Sequence, residues 1–294
     1  MKQFSIWDFA KYKGFPFSIN IGVHLDEVET HVHPHVHSYT ELAIILDGTA
    51  VHVVDGHTYP LKAGDVFVIK GDTYHSFREL HAMKHCNIMF DPQHFLDGET
   101  GLKQMPGYQA LFMVEPYYRK EHRFESKLVL DPARLHFVED MIHLMLDEYN
   151  ALRAGSQAVV KTYFASLAAY LSRQYSSHDN PAMEKLLRLS KAVAYMETNF
   201  TEPICLDDVA AIAYLSVRHF SRVFKEIYSV PPMEYIISLR LKHACVLLQD
   251  SDTTVSEVAL NVGFSNISFF SRCFKERLGL SPRDYRRQTS RYAK

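Results

Sequence analysis

The sequence contains few cysteines, and the four that are present lie far apart. Cys86, Cys205, Cys245 and Cys273 form no Cys-x-x-Cys pair, so the sequence indicates neither a disulfide framework nor a structural zinc site. Long apolar runs are also missing. No stretch approaches the roughly 18 uncharged residues that a membrane-spanning helix needs, and residues 1–10 have no apolar run behind a positive charge. We therefore expect no signal peptide, no membrane partner and a cytoplasmic location.

The chain as a whole also lacks the basic excess that nucleic-acid-binding proteins commonly have, because its net charge is −2. The charge is nevertheless segregated along the sequence. Residues 182–294 contain 16 Lys and Arg against 12 Asp and Glu, whereas the rest of the chain contains 16 against 22. The balance is sharper in residues 255–294, with 8 basic and 3 acidic residues. This pattern is typical of a surface that faces phosphates, although an ordinary basic tail would also show it.

An internal repeat occupies the carboxy-terminal third of the chain. Residues 209–235 and 258–285 match when they are offset by 49 positions before the second turn and by 50 after it. Each copy predicts a short helix, a tight turn and a longer helix, the arrangement of a helix-turn-helix unit. We expect Asp207-Asp208 and Ser256-Glu257 to cap the first helices, and Gly263 to supply a positive φ in the second turn. Residues 233–249 predict one connecting helix, which is long enough to set the spacing of the two units.

The second helix of each copy has a short polar stripe opposite its apolar one. Such a helix suits the major groove of double-stranded DNA, where Arg pairs with guanine through two hydrogen bonds and Lys meets phosphate. The same stripe would also suit an ordinary solvated helix. The stripe residues are Arg218, Ser221, Arg222 and Lys225 in the first copy, and Ser268, Ser271, Arg272 and Lys275 in the second.

These residues resemble the AraC/XylS family of bacterial transcription regulators. The resemblance rests on Leu-Ser-Val-Arg-His-Phe-Ser-Arg-Val-Phe-Lys (215–225), Gly-Phe-Ser-Asn-Ile-Ser-Phe-Phe-Ser-Arg-Cys-Phe-Lys (263–275) and Leu-Ser-Pro-Arg-Asp-Tyr-Arg (280–286), and it covers about the last hundred residues. It implies that Arg218, Ser221 and Arg222, then Ile267, Ser268, Ser271 and Arg272, read bases. Ile267 and Phe269 depart from the polar expectation, and Ile267 would contact a thymine methyl group.

Residues 23–90 alternate apolar and polar residues in short runs between turn residues, which is an all-β pattern. Asp55-Gly56 predicts a two-residue hairpin turn. His35, His37 and Glu41 are spaced by even numbers, so in one regular strand their side chains share a face, to which a facing strand would add His75. Other histidines, including His31, His33, His52 and His57, are interpreted as surface or rim residues.

The spacing of these polar residues resembles the two cupin motifs, with Lys70 and Asp72 in place of the usual Pro and Gly of the second motif. Two interpretations stay open. The four side chains can ligate a divalent transition metal, although no cofactor is required, or they can hydrogen-bond a small polar effector in the barrel mouth. Residues 64–69 and 87–92 are similar to sugar-responsive family members, including the rhamnose regulators, which implies a carbohydrate effector. The aromatic residues Trp7, Phe9, Phe15 and Phe17 would either cover the pocket or pack outside the barrel.

Two helices are predicted to connect the barrel to the repeat. Asp131-Pro132 predicts the start of the first, which runs to Gly155, and Ser176–Asn180 is predicted to be a linker. Their apolar stripes fit either a coiled-coil-like dimer seam or packing on the barrel, and Phe137, Met141 and Leu144 would allow both. The stripes are Leu135, Val138, Ile142, Met145 and Tyr149, then Val160, Phe164, Leu167 and Leu171.

These observations predict an α+β protein of two domains: an amino-terminal cupin β-barrel, a helical connecting region, and a carboxy-terminal all-α domain with tandem helix-turn-helix units. The predicted boundaries are 1–130, 131–180 and 181–294. We expect a transcription regulator, acting as a homodimer on double-stranded DNA, controlled by a small-molecule effector and contacting RNA polymerase if it is an activator. The alternative is a metal-dependent cupin enzyme that uses His35, His37, Glu41 and His75.

Overall fold

A computed structural model of the protein describes residues 2–24, 32–92, 101–120, 127–177, 181–250 and 253–289. The chain forms two compact units, Met1–Ser190 and Lys191–Lys294. His31, the side chain of His33 and the end of the predicted linker (178–180) lie outside the described residues. Among the described helices, none is long and apolar enough to cross a membrane.

Eight strands of the first unit form one sheet. They are β1 (Lys2–Phe4), β2 (Phe17–His24), β3 (Val32–His37), β4 (Thr40–Val54), β5 (His57–Lys62), β6 (Asp65–Ile69), β7 (His75–Phe90) and β8 (Leu128–Val129). Their order is β1-β3-β7-β4-β6-β8, with β2 also paired to β7 and β5 to β4. Asp55 and Gly56 form the predicted hairpin turn between β4 and β5, and both have positive φ values, 46° and 85°.

The two longest strands, β4 and β7, bend and close the sheet into a barrel. Their register shifts three times between Ile45 and Val51, and such irregularities increase strand curvature. One apolar cluster therefore draws its members from both ends of these strands. It consists of Ala43, Ile45, Ala50, Leu61, Phe67, Ile69, Phe77, Leu80 and Met83. Contact between residues from the two halves of these strands means that this cluster lines the interior.

The helices of the first unit pack on the outer face of the barrel. They are α1 (Pro106–Tyr108), a π-helical stretch (Gln109–Val114), α2 (Glu115–Lys120), α3 (Pro132–Ala151) and α4 (Ser156–Ser176). Asp131 caps α3 and Pro132 occupies its first turn, as predicted. Val138, Ile142, Phe164 and Leu171 are fully buried in one cluster with outer-face strand residues such as Leu42. The inner stripes of α3 and α4 thus pack on the barrel, while Phe137 and Leu144 remain about half exposed.

The second unit consists of helices, the first of which already begins at Pro181, before the unit's first residue Lys191. They are α5 (Pro181–Asn199), α6 (Leu206–Ile212), α7 (Val217–Tyr228), α8 (Pro232–Asp250), α9 (Val255–Asn261), α10 (Ile267–Leu278) and α11 (Pro282–Thr289). The pairs α6–α7 and α9–α10 are the two predicted helix-turn-helix units, and α8 is the predicted connecting helix.

The predicted caps of the first helices were only partly correct, since Glu257 contributes to a cap whereas Asp207, Asp208 and Ser256 do not occupy the cap position. Asp207 and Asp208 lie inside the first turn of α6, where their negative charge interacts favourably with the positive end of the helix dipole. The residue at the cap position is Cys205. In the second copy Thr254 caps α9 and forms a capping box with Glu257. Ser256 already lies within the helix, so its backbone is helical and its hydroxyl does not occupy the capping position.

The turn between α9 and α10 requires glycine. Gly263 has a φ of 91°, and a Cβ atom there would lie 2.4 Å from the carbonyl oxygen of Thr201. We expect Gly263→Ala to destabilise the second unit by at least the roughly 1–2 kcal/mol that a left-handed conformation costs other residues, which would be visible as a lower midpoint of thermal unfolding. Gly279→Ala is the matched control, because Gly279 has a φ of 75° with nothing within 4 Å of the added Cβ. Equal losses in the two variants would contradict the steric account.

Candidate functional site

Three polar side chains converge inside the barrel. His37 ends β3, Glu41 is the second residue of β4 and His75 begins β7, and all three are buried. Each offers a ligand atom that lies within 4.8 Å of the other two, and Nε2 of His37 is 3.8 Å from Oε2 of Glu41. The site therefore combines two imidazoles and a carboxylate in a space that water scarcely reaches.

Hydrogen bonds on the far side of both rings fix how these imidazoles face the site. Nδ1 of His37 lies 2.8 Å from the carbonyl oxygen of Tyr39, to which it donates, and the Tyr39 ring stacks on the His37 ring at 4.1 Å. Nδ1 of His75 lies 3.3 Å from Nε2 of His52. Within the described chain, Nε2 of His37, Nε2 of His75 and Oε1 of Glu41 have no hydrogen-bond partner. These atoms are available to a bound molecule.

Burial sets the protonation states of the site. It lowers the pKa of His37 to about 4, even though the bond to the Tyr39 carbonyl opposes this shift. Burial, together with the neighbouring imidazoles of His52, His35 and His37, lowers the pKa of His75 well below its ordinary value. Burial raises the pKa of Glu41 to about 7. The imidazoles are therefore neutral near pH 7, while Glu41 exists in both protonated and ionised forms.

Two details of the sequence interpretation need correction. The residues His37 and Glu41 lie on separate strands, because the chain bends at Ser38 and Tyr39. His52, interpreted as a surface or rim residue, is fully buried and stacks between Phe67 and Phe77, with ring centroids 5.1 and 4.7 Å away. The alternation of β4 contained this signal, since His52 is two residues from buried Ala50 and two from buried Val54.

His35 and the turn before His75 complete this end of the barrel. His35 is half-buried beside the cluster, with its ring centroid 4.4 Å from that of His75. Asp72 has a φ of 64°, and its backbone N–H donates to the carbonyl of His37 at 2.8 Å. Aspartate tolerates this conformation better than most residues, so the turn forms despite the missing glycine of the motif. His57, by contrast, is exposed.

Further along the inner wall the structure places polar residues that the sequence interpretation missed. In the β4–β7 register His85 faces Ile45 and Asn87 faces Ala43, both inner-wall residues. Among the described residues, Nδ1 of His85 and Oδ1 of Asn87 are buried without a partner. Gly22 makes room for His85, because a Cβ at position 22 would lie 2.5 Å from Cε1 of that ring. No motif marks these residues, and only strand register identifies them.

The amino-terminal segment lies beside the histidine cluster. The Phe4 ring packs edge-on against His35 at 5.5 Å, and Phe9 packs against Tyr39 at 6.0 Å. Trp7 is 57% exposed, whereas Phe15 and Phe17 are buried against the outer helices. Phe9 therefore lies beside the cluster and Phe15 and Phe17 pack outside the barrel, whereas Trp7 is largely exposed.

In the second unit, the residues predicted to contact DNA lie on accessible faces of α7 and α10. Arg218, Arg222 and Lys225 are exposed and Ser221 is half-buried on α7. On α10 the exposed residues are Ile267, Ser268, Arg272 and Lys275, and Ser271 is again half-buried. Each helix buries its opposite face, through Phe220 and Phe224 in α7 and through Phe270 and Phe274 in α10. The repeat thus presents the same polar edge twice.

Two family models match the chain. One, described as an AraC-like ligand binding domain, covers residues 21–168, which is half of the chain. The other, described as a helix-turn-helix domain, covers residues 209–288. The HTH-type transcriptional activators RhaS of Salmonella arizonae and Salmonella schwarzengrund are each 27% identical to this chain over 252 residues. The match covers 86% of this chain and 86% of each relative.

Solved structures of DNA-binding domains are similar to about a third of the chain. An AraC-type regulator from Chromobacterium violaceum is 34% identical and covers 35% of this chain and 92% of its own, with a TM-score of 0.33. The DNA-binding domain of the global transcriptional factor AdpA, in complex with a target DNA, is 34% identical over 34% of this chain and 91% of its own, also with a TM-score of 0.33.

Proposed function

Because the chain belongs to the AraC family of transcriptional regulators, with an AraC-like ligand-binding domain ahead of a helix-turn-helix DNA-binding domain, we propose that a small molecule bound inside its barrel controls how it binds DNA. The observation that carries this proposal is the row of unpartnered polar atoms on the inner wall. Buried polar atoms without partners are costly. A ligand that supplies hydrogen bonds to them is therefore favoured.

The proposed effector is a small, polar molecule with several hydroxyl groups. Glu41, when ionised, and Asn87 offer acceptor oxygens, and Nε2 of His37 offers a lone pair because Nδ1 of the same ring donates to Tyr39. Nε2 of His75 also accepts when Nδ1 of that ring donates to His52. Several hydroxyl groups that donate hydrogen bonds match such a wall, and the apolar inner-wall residues beside it suit the carbon face of a sugar ring. A carbohydrate satisfies both requirements. His35 contributes from the barrel mouth.

A divalent transition metal is the second candidate ligand. The donors fit, because two neutral imidazoles and a carboxylate suit such an ion and the second nitrogen of each imidazole is held by a hydrogen bond. His37, Glu41 and His75 would hold the metal, and His52 would orient His75. When bound, the ion would supply a positive charge that a hydroxyl or carboxylate oxygen of the effector could coordinate.

The metal candidate predicts a distinct result with Co²⁺ as the probe. We expect the wild-type chain to bind one ion, detected by visible absorption, and His37→Ala to abolish this binding. His52→Ala should weaken it about 10- to 100-fold, as loss of an outer-shell partner does. The exposed His57→Ala is the matched control and should leave binding unchanged. Equal binding by wild type and His37→Ala would contradict the metal site.

On the DNA side, the proposed reading residues are Arg218, Ser221 and Arg222 of α7 and Ile267, Ser268, Ser271 and Arg272 of α10. Lys225 and Lys275 would contact phosphate. The 19-residue helix α8, which connects the two helix-turn-helix units, is about 28 Å long at 1.5 Å per residue. That length suits successive major grooves on one DNA face, which are about 34 Å apart.

The proposal includes a homodimer in the cytoplasm, bound to double-stranded DNA and acting by binding rather than turnover. Exposed Phe137 and Leu144 on the outer side of α3 offer an apolar surface for a second copy. The relatives at 27% identity are named transcriptional activators, which supports activation and RNA polymerase as a further partner.

A duplex-binding assay with added ligand tests the proposal. Fluorescence anisotropy on a duplex selected from a random pool should show salt-sensitive binding. A panel of monosaccharides, with and without chelator, should contain a member that changes the affinity at least about fivefold, the lower end of usual allosteric coupling. Asn87→Leu should lose that response while still binding the duplex. A sugar response that is unchanged in Asn87→Leu and in His75→Phe would contradict the assignment to the inner wall.

A further inference from the structure

The two copies of the repeat hold their equivalent arginines by different chemistry. Arg222 of α7 and Arg272 of α10 occupy the same repeat position, and each is exposed. Nη1 of Arg222 donates to Oε1 of Glu226, one turn toward the carboxy terminus, at 2.8 Å. The guanidinium carbon of Arg272 instead lies 5.3 Å from the ring centroid of Phe269, one turn toward the amino terminus.

The sequence of the repeat accounts for this difference. The acid is present in both copies, as Glu226 and Glu276, but within the described chain Arg272 forms no ion pair with Glu276. The phenyl ring is present in one copy alone, because the position of Phe269 in the second copy is occupied by the imidazole of His219 in the first. Where a phenyl ring is present, the guanidinium lies against it.

Phe269 is held in a fixed place. Its backbone N–H is capped by the Asn266 side chain at 2.8 Å, and its ring packs against that of buried Phe264 with centroids 6.0 Å apart. The side chain remains 38% exposed, although phenylalanine is usually a buried residue. A fixed aromatic face restricts the planar guanidinium to stacked orientations while leaving its N–H groups free to donate.

We propose that Phe269 is a positioning residue that orients Arg272 for a base, whereas Arg222 must first leave Glu226 before it can pair with one. This inference rests on the proposed DNA-reading faces. Arg272 is therefore the preorganised reader of the pair, and Phe269 sets the strength of its preference without contacting the base itself. Glu226 has the opposite effect in the first copy, because a base competes with its carboxylate for the same N–H groups.

The test compares base preference rather than overall affinity. A selection with Arg222→Ala and another with Arg272→Ala first identify the base pair that each arginine reads. The ratio of affinities for the preferred and the exchanged base pair is then measured at both positions. Overall losses of folding or of phosphate binding cancel in this ratio, so a merely structural role of Phe269 would not change it.

We expect Phe269→Leu to lower the ratio at the Arg272 base pair about two- to fivefold, the worth of an exposed cation–π contact, and to leave the Arg222 base pair unchanged. Phe269→Tyr keeps the ring and should retain the wild-type ratio. Glu226→Gln should raise the ratio at the Arg222 base pair by about twofold, since a surface i,i+4 pair is weak. Thermal unfolding establishes that each variant is folded.

Two results would overturn the inference: a wild-type ratio in Phe269→Leu, or an equal fall in Phe269→Leu and Phe269→Tyr. A wild-type chain that binds all duplexes alike would instead contradict the reading faces themselves. The failure of the inference and the failure of the proposed function are thereby distinguished.

Discussion

Replacing Arg119 by alanine is expected to cost the first unit about 3–5 kcal/mol of unfolding free energy, the range found when one partner of a buried ion pair is removed. The Arg119 side chain is 3% exposed and donates to Glu115, which is fully buried, at 3.0 Å. Its guanidinium also lies over the ring of Phe67 at 4.7 Å and over that of Tyr59 at 5.3 Å. The variant loses these contacts and leaves a buried carboxyl group without its cation.

The size of this loss should depend on pH. Burial raises the pKa of Glu115 to about 7 even with Arg119 beside it, and removal of the cation raises the pKa further. A carboxyl group whose pKa is raised on folding destabilises the folded state as pH increases above its unfolded value. Arg119→Ala should therefore lose less stability at pH 5 than at pH 8.

Chemical denaturation of the wild type and of Arg119→Ala at pH 5 and pH 8 measures this difference in unfolding free energy. Adding Glu115→Gln to Arg119→Ala should remove the extra loss at pH 8, because the amide cannot ionise. Arg153→Ala is the control in the same unit, since Arg153 pairs with Glu148 at the surface and exposed pairs contribute about 0–1 kcal/mol. Similar losses for Arg119→Ala and Arg153→Ala would contradict the buried-pair account.

Arg272→Ala is expected to remove the preference for one base pair almost completely. A bidentate arginine contact with guanine discriminates by about 1–3 kcal/mol, which corresponds to roughly 5- to 150-fold in relative affinity. Arg272 is exposed on α10, and its guanidinium is free of ion pairs within the described residues. Arg222→Ala should have the same kind of effect at a different base pair.

Lys275→Ala is the matched control on the same helix. Lys275 is exposed one turn beyond Arg272, where we expect it to contact phosphate. Its loss should lower the affinity for all duplexes by a similar factor and reduce the salt dependence by about one ion. Binding selections and salt titrations separate the two behaviours. A loss of base preference in Lys275→Ala but not in Arg272→Ala would show that the assigned faces are wrong.

The helical unit was predictable from sequence to within a few residues, and the reason is physical. The repeat fixes two turns at matching positions, and periodic apolar residues such as Phe220 and Phe270 fix which faces are buried. The caps were less predictable, because the cap residue of α6, Cys205, accepts no side-chain hydrogen bond from the helix backbone, while good capping residues stand two positions later. Competing local signals of similar energy determine such ends.

The barrel interior was only partly predictable. The alternation of β4 and the spacing of His35, His37, Glu41 and His75 located the polar end, but spacing within one segment does not reveal which residues of other strands face it. His52, His85 and Asn87 reach the interior through the β4–β7 register and its bulges, which depend on contacts distant in sequence. The Arg119–Glu115 pair carries no sequence motif either, since i,i+4 pairs are common on exposed helices.

The central claim is that two copies of one helical unit read adjacent major grooves. The most direct test selects preferred duplexes from a random pool with wild type, Arg222→Ala and Arg272→Ala. The account predicts that the base pairs whose preference is lost in the two variants lie about one helical turn, roughly 10 base pairs, apart. Loss at the same or neighbouring base pairs in both variants, or at none, would contradict it.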